Sequence, residues 1–209
     1  LTSELARGMG RDVSRSGGKC QVGFMYRFGE AALWLKERIG DPAGARAFMV
    51  ARYSCNSLHS SWWRDRARSG GQLVEQAIHL LDLARFFLGE PEAVYSSQQN
   101  LFHAEVEGYT VEDASATVIR FPSTSLAVVA ATNGASPGRW DCDWRIVLPG
   151  LTADFADPNH ATIHSTASAW PSVTTLASEK NMYRALTLDL LEAIRQDRQP
   201  AVPIEEGVR

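Results

Sequence analysis

Apolar residues recur at every third or fourth position near both ends of the chain and alternate with polar ones between about residues 93 and 175, predicting helices flanking a run of strands. From Thr2 to Arg15, Leu5, Met9 and Val13 are spaced by four, with Thr2 or Ser3 as the helix cap. Ser16-Gly17-Gly18 ends that helix, and Cys20 to Tyr26 alternates as a short buried strand would. A second helix is expected over Gly29 to Ile39, with Ala32, Leu33, Leu35 and Ile39 inward and Gly40-Asp41-Pro42 as its stop. Ala45 to Ser54 reads as a strand, and Asn56 to Gly71 as a polar loop holding His59, Trp62, Trp63 and Arg64.

The longest helix spans Gln72 to Leu88, closed by Gly89 and Pro91. Strands follow over Ala93 to His103, Ala114 to Phe121, Ser125 to Thr132, Asp143 to Leu148 and Thr152 to Phe155, punctuated by Pro, Gly, Asn and Ser. Glu179 to Arg195 is a further helix, with Met182, Leu186, Leu190 and Ile194 in register, and no helix is expected after it. Helices, consecutive strands and a helix again give an α+β fold: an open, predominantly antiparallel sheet with helices packed on one face.

Composition narrows this picture without redirecting it. A chain of 209 residues, 44% hydrophobic, is long enough for a substantial core. Its net charge of −3 argues against a nucleic-acid partner. No apolar run reaches the roughly 18 residues of a membrane helix. Three cysteines, Cys20, Cys55 and Cys142, form neither a disulfide framework nor a zinc knuckle, and a reducing, cytoplasmic setting is expected. The sequence starts at Leu1 without an initiator Met and stops just after Glu205-Glu206-Gly207, so we expect a piece of a longer protein.

Chemistry concentrates on the Gln72 to Leu88 helix. It is apolar nearly all round and therefore expected to be buried, yet Glu75, His79 and Asp82 stand at i, i+4 and i+7 on one face. Ionisable groups inside an apolar helix need partners or a polar cavity, and their shifted protonation suits acid and base work. The residues alone leave open a purely structural histidine network, with Asp82 as a structural or capping partner. Elsewhere, Trp62 and Trp63 fit a pocket wall, a subunit contact or the core, and Arg27 beside Tyr26 fits a ligand contact or an ion pair. His160 and His164 lack the carboxylate partner that a metal site would need, so no metal is expected. Gly8-Met9-Gly10 lies within a helix rather than after a strand, which disqualifies it as a dinucleotide fingerprint.

Gly70-Gly71-Gln72-Leu73-Val74-Glu75-Gln76-Ala77-Ile78-His79-Leu80-Leu81-Asp82-Leu83 resembles the signature of the glucose–fructose oxidoreductase / inositol dehydrogenase (Gfo/Idh/MocA) family. There a Gly pair is followed by an acidic residue, a His four positions later, and then an Asp. Val22-Gly23-Phe24-Met25-Tyr26-Arg27-Phe28 resembles the family's crossing between domains. Leu88-Gly89-Glu90-Pro91 and the closing Asp189 to Ile194 segment, with Pro200 and Glu206-Gly207, are similar to the same template.

The resemblance implies a two-domain oxidoreductase that uses NAD or NADP and acts on a sugar, cyclitol or similar polyhydroxy compound. By it, residues 1–26 are the last helix and strand of an otherwise absent Rossmann domain, and residues 27–209 a substrate-binding and oligomerisation domain. The cofactor would be bound mainly by the missing domain, since neither the family's Glu-Lys-Pro motif nor a Gly-rich fingerprint is in this sequence. His79 would be the acid/base. Glu75, standing where many members have Asp, would orient His79 or bind a hydroxyl. Arg27, Tyr26, Trp63, Arg64 and Tyr183 would contact substrate, and the sheet face would join subunits into a homo-oligomer. The chain alone would be inactive. Two other readings remain open: a non-enzymatic sugar-sensing regulator on the same scaffold, and a metal-dependent sugar isomerase or hydrolase.

Overall fold

The computed structural model describes residues 3–56, 58, 60–166 and 172–208; Thr2 and His59, singled out above, lie outside the described residues. The chain forms two compact units, residues 1–29 with 179–209, and residues 30–178.

The first unit holds α1 (Ser3–Ser16), a 3-10 turn over Met25–Phe28, and two later helices, Met182–Arg195 and Ile204–Val208 (α6 and α7 in chain order). α1 packs on α7, and α6 on the Met25–Phe28 turn. Cys20 to Tyr26 is not a strand. Gln21 makes one antiparallel bridge to Pro203, after which Phe24 N–H bonds the Val22 carbonyl and Met25 N–H the Gly23 carbonyl, both at 2.9 Å. With backbone groups satisfied so locally, no ladder can propagate. α7 also corrects the expectation that no helix follows α6. On α6, Met182, Leu186 and Leu190 lie on the partly buried face as the spacing predicts, while Ala193 is the buried residue of the last turn and Ile194 is 55% exposed. On the same helix Asp189 accepts from Gln21 Nε2 at 2.9 Å, Arg198 Nη2 at 2.8 Å and the Ala201 N–H at 2.6 Å.

The second unit is one eight-stranded sheet with helices on one side. Its elements in chain order are α2 (Glu30–Ile39), β1 (Phe48–Ser54), α3 (Arg66–Ser69), α4 (Gln72–Glu75), α5 (Ile78–Leu88), β2 (Ala93–Gln99), β3 (Ala114–Arg120), β4 (Leu126–Thr132), β5 (Asp141–Leu148), β6 (Leu151–Asp157), β7 (His160–Ser165) and β8 (Ser172–Leu176). The strand order is β2-β3-β4-β1-β5-β6-β7-β8. Only the β1–β4 pair is parallel. β1 lies between β4 and β5, which run in opposite directions, so one of its two neighbours must be parallel to it; the chain from β1 to β4 passes through the α3–α5 segment and the β2–β3 pair. β1, β3 and β4 fall within the spans read from the sequence; β2 ends at Gln99 rather than His103, β5 starts two residues before Asp143, β6 extends past Thr152 to Phe155 at both ends, and β7 and β8 were not delimited.

Strict alternation sorts the strands' two faces. Met49, Ala51 and Tyr53 of β1, Ala127 and Val129 of β4, and Ile146 of β5 are buried toward the helices. α5 packs on β1 and β4 and fills that layer with Leu80, Leu83, Ala84 and Phe87, all fully buried. Phe87 reaches the Phe155 ring at 6.4 Å, and Phe155 stacks on Trp144 at 4.7 Å. α2 buries Ala31, Ala32 and Leu35 but leaves Leu33 40% exposed, a one-position correction to its predicted inner face. The opposite side of the sheet is open, presenting Phe48, Val50 and Val147 between ion pairs.

Candidate active site

The predicted 72–88 helix is two helices. The Ala77 N–H reaches back five residues to the Gln72 carbonyl at 3.0 Å, sharing it with the Gln76 N–H at 2.9 Å, and α5 restarts at Ile78. A widened turn of this kind is frequent at functional sites. Glu75 therefore ends α4 and His79 opens α5, instead of stacking on one continuous helix. Asp82 is buried on α5. The all-round apolar reading is also too simple, since Val74 is 53% exposed.

What breaks the helix is the way α4 is anchored. Gly70 and Gly71 precede it at φ 82° and 112°, backbone that side chains rarely adopt. A Cβ on Gly71 would lie 2.8 Å from Glu112 Oε2. Glu112, buried just before β3, accepts the Leu73 N–H at 3.1 Å and the Arg66 guanidinium at 2.6 Å. It thus supplies the N-terminal cap that α4 lacks in its own sequence. Behind α4, Gln72 Nε2 donates to Asn133 Oδ1 at 2.7 Å, the Cys55 thiol donates to the same oxygen at 3.3 Å, and Asn133 Nδ2 donates to the Tyr109 hydroxyl at 3.4 Å. These buried amides fix α4 independently of α5.

Glu75 sits at the edge of this network, half-buried, with Oε2 buried and without a hydrogen-bond partner among the described residues. Burial pushes its carboxyl up to about 7, against a smaller downward pull from the Trp63 indole N–H. Burial also pushes His79 below its ordinary value, so its imidazole is neutral near pH 7. Just after β1, burial and the Glu75 charge push the Cys55 thiol up to about 11, an inert thiol rather than a nucleophile. Burial pushes the Tyr53 phenol upward too, while a hydrogen bond with Trp140 opposes the rise. Near neutral pH the segment thus carries a neutral imidazole on α5 and, at the end of α4, a carboxyl that is half-ionised.

A row of aromatic rings adjoins Glu75. Trp62 meets Trp63 at 5.9 Å, Trp63 meets Trp140 at 5.8 Å, and Trp140 meets Tyr53 at 5.9 Å, all edge to face. Tyr53, Cys55, Trp140, Glu112 and Asn133 escaped the sequence reading, because β-sheet pairing assembles them from distant segments. Tyr53 pairs with Cys142, which brings Trp140 beside the end of β1. Only the alternation of β1, placing Tyr53 on the inner face, carried a usable signal.

Among the sequence candidates, Trp63 and Arg64 lie on the loop before α3, which Thr110 ties down by donating to the Arg64 carbonyl at 2.7 Å. Arg27, Tyr26 and Tyr183 belong to the other unit. Arg27 is buried and bridges Glu206 at 2.9 Å, and Tyr183 is 62% exposed on α6. His160 pairs with Asp157 at 2.8 Å and His164 with Asp154 at 3.5 Å. Both therefore do have a carboxylate partner, contrary to the sequence expectation. Among the described residues, no three His, Cys, Asp or Glu side chains converge as metal ligands. No helix among them is long and apolar enough to cross a membrane.

Residues 32–156 match the model of the GFO/IDH/MocA C-terminal domain. Two uncharacterised proteins of Schizosaccharomyces pombe are similar at 36% identity over 74 residues and 33% over 72, each match covering 18% of the yeast protein. They cover 34% and 33% of this chain. Levoglucosan dehydrogenase, in a complex with NADH and levoglucosan, superimposes with a TM-score of 0.85 at 18% identity. That match covers 99% of this chain and 65% of that enzyme. Aldose-aldose oxidoreductase from Caulobacter crescentus, complexed with glycerol, gives 0.82 at 22% identity, covering 99% of this chain and 63% of that one. At these identities the likeness is one of fold, and this chain spans less than two thirds of either enzyme. With the signature stretch and most of the sheet inside the matched region, the chain belongs to the GFO/IDH/MocA family.

Proposed function

We propose that this chain is the substrate-binding part of an NAD(P)-dependent oxidoreductase acting on a sugar, cyclitol or similar polyhydroxy compound. The observation that carries the reading is that a half-ionised Glu75 ends α4 and a neutral His79 lies in the first turn of α5, on either side of a break between helices. These groups fit a substrate alcohol. Both can take up a proton near neutral pH, and a half-buried carboxyl is a hydroxyl acceptor. When bound, the nicotinamide supplies the hydride chemistry. We assign its binding mainly to a nucleotide domain of the longer protein, of which residues 1–26 would be the last part and residues 27–209 the substrate-binding and oligomerisation domain.

In this reading His79 takes the proton of the reacting hydroxyl, or returns it in the reverse direction. Glu75 binds a neighbouring hydroxyl and keeps it in register. The helix break sets the two groups, and the Glu112 cap together with the Gln72–Asn133 bond holds the α4 side of it. Trp63 and Arg64, on the same unit as His79, contact the substrate. Arg27, its charge met by Glu206, serves to hold its own unit. The open sheet face, with Phe48, Val50 and Val147 40% or so exposed, joins subunits.

The test is NAD(P)H turnover by the longer protein over a panel of sugars and cyclitols, beside His79→Ala. We expect loss of kcat by about a hundredfold or more. An unchanged rate would remove His79 from the mechanism, and no nicotinamide binding by the intact protein would favour a sugar-sensing regulator. The 209-residue chain alone is expected to show no turnover.

A further inference from the structure

We propose that Trp140, held between Tyr53 and Trp63, is a specificity platform that takes the C–H face of a closed sugar or cyclitol ring and disfavours open-chain polyols. This rests on the functional reading above and adds what that reading leaves undefined, namely which polyhydroxy compounds fit.

Trp140 is 50% exposed, an unusual burden for the largest apolar side chain, and Trp62 at 39% lies one ring further along the same row. An exposed indole is ordinarily free to change rotamer. Here it is not, because Trp63 and Tyr53 each contact it edge to face, at 5.8 and 5.9 Å, and it shares a hydrogen bond with Tyr53. Tyr53 is itself 5% exposed on the inner face of β1, so the platform is fixed to the core of the sheet. A ring whose orientation is set before binding loses little entropy when a ligand stacks on it.

The polar half of the site is equally near. The Trp63 indole acts on Glu75, and Tyr53 feels the Glu75 charge, so both neighbours of Trp140 touch the carboxyl's surroundings. A flat apolar surface with a hydroxyl-binding carboxyl at its margin matches a pyranose or cyclitol. Such rings present axial C–H groups on one face and hydroxyls around the rim. An open-chain polyol has the hydroxyls but no face.

Intrinsic tryptophan fluorescence reads this directly on the 209-residue chain, without cofactor. Titration with methyl β-glucopyranoside and with myo-inositol is expected to give saturable quenching, and sorbitol at least about tenfold weaker binding. Trp140→Ala should weaken ring binding about tenfold and bring it level with sorbitol, whereas Trp140→Phe, which keeps a ring face, should recover most of the loss. Far-ultraviolet circular dichroism of both variants controls for folding; Tyr53→Phe, which keeps the ring contact, provides a second probe and should retain the preference. Equal binding by wild type and Trp140→Ala, equal affinity for sorbitol, or no saturable quenching by any ring compound would each overturn the platform. None of these outcomes touches the hydride-transfer reading, which stands or falls on turnover and on His79.

Discussion

On the inner side of β1, Tyr53 and the adjoining Cys55 share their surroundings with Glu75, and burial displaces all three from their ordinary protonation. On the outer side of the same strand, Arg52 forks onto Asp143 at 2.9 and 2.8 Å with most of its side chain in water. Neighbouring residues of one strand thus meet two dielectrics. Inside, a single carboxyl without an opposite charge is driven toward its neutral form. Outside, close ion pairs are screened and cost as much in side-chain entropy as they return. Proximity of charges is therefore a poor guide to their energetic weight here; the depth at which they sit decides it.

The inner layer is also where packing is concentrated, so the largest effect we expect comes from emptying it. Phe87→Ala removes a fully buried ring that touches Phe155, and should cost about 3–5 kcal/mol of unfolding free energy by urea denaturation. A loss below ~1 kcal/mol would mean that the helix layer is not the core.

Glu75→Gln sharpens the electrostatic half of the contrast. Between the ordinary carboxyl value of 4.5 and about 7 the folded chain binds more protons at Glu75 than the unfolded chain does, so this group's contribution falls as pH rises through that window. The variant should gain about 1–2 kcal/mol over wild type at pH 8, allowing for screening of a half-buried group, and nothing below pH 4.5. His79 acts with the opposite sign: its lowered folded value makes the folded chain lose stability as pH falls below 6.5. Paired urea titrations at pH 4.5, 6 and 8 separate the two, and a pH-independent difference for Glu75→Gln would break the comparison. Smallest of all, Arg52→Ala on the open face should change stability by about 0.5 kcal/mol or less, and by less still in 0.5 M salt.

The helices and the strand alternation were legible because periodicity reports burial, and burial is what the fold enforces. The site was legible as a motif, Glu75 to His79, but not as a geometry. Residues 72–88 contain no Gly or Pro, so nothing local marks the break; it is imposed by Glu112 on the Leu73 N–H and by Asn133 on Gln72. Cys20 to Tyr26 failed for a related reason. Its alternation suits a strand, but Pro203 is the partner of its one bridge and the backbone turns back on itself. Trp140 had no signature, since its role depends on β1 and β5 pairing across a long stretch of chain.

The widened turn at Gln76 and Ala77 has a bearing on how such a site could diverge. A residue inserted or removed there would swing Glu75 through a large fraction of a turn relative to His79. The joint is thus the one point in the segment where the angular relation of these two side chains can be reset by a change of length rather than of residue type.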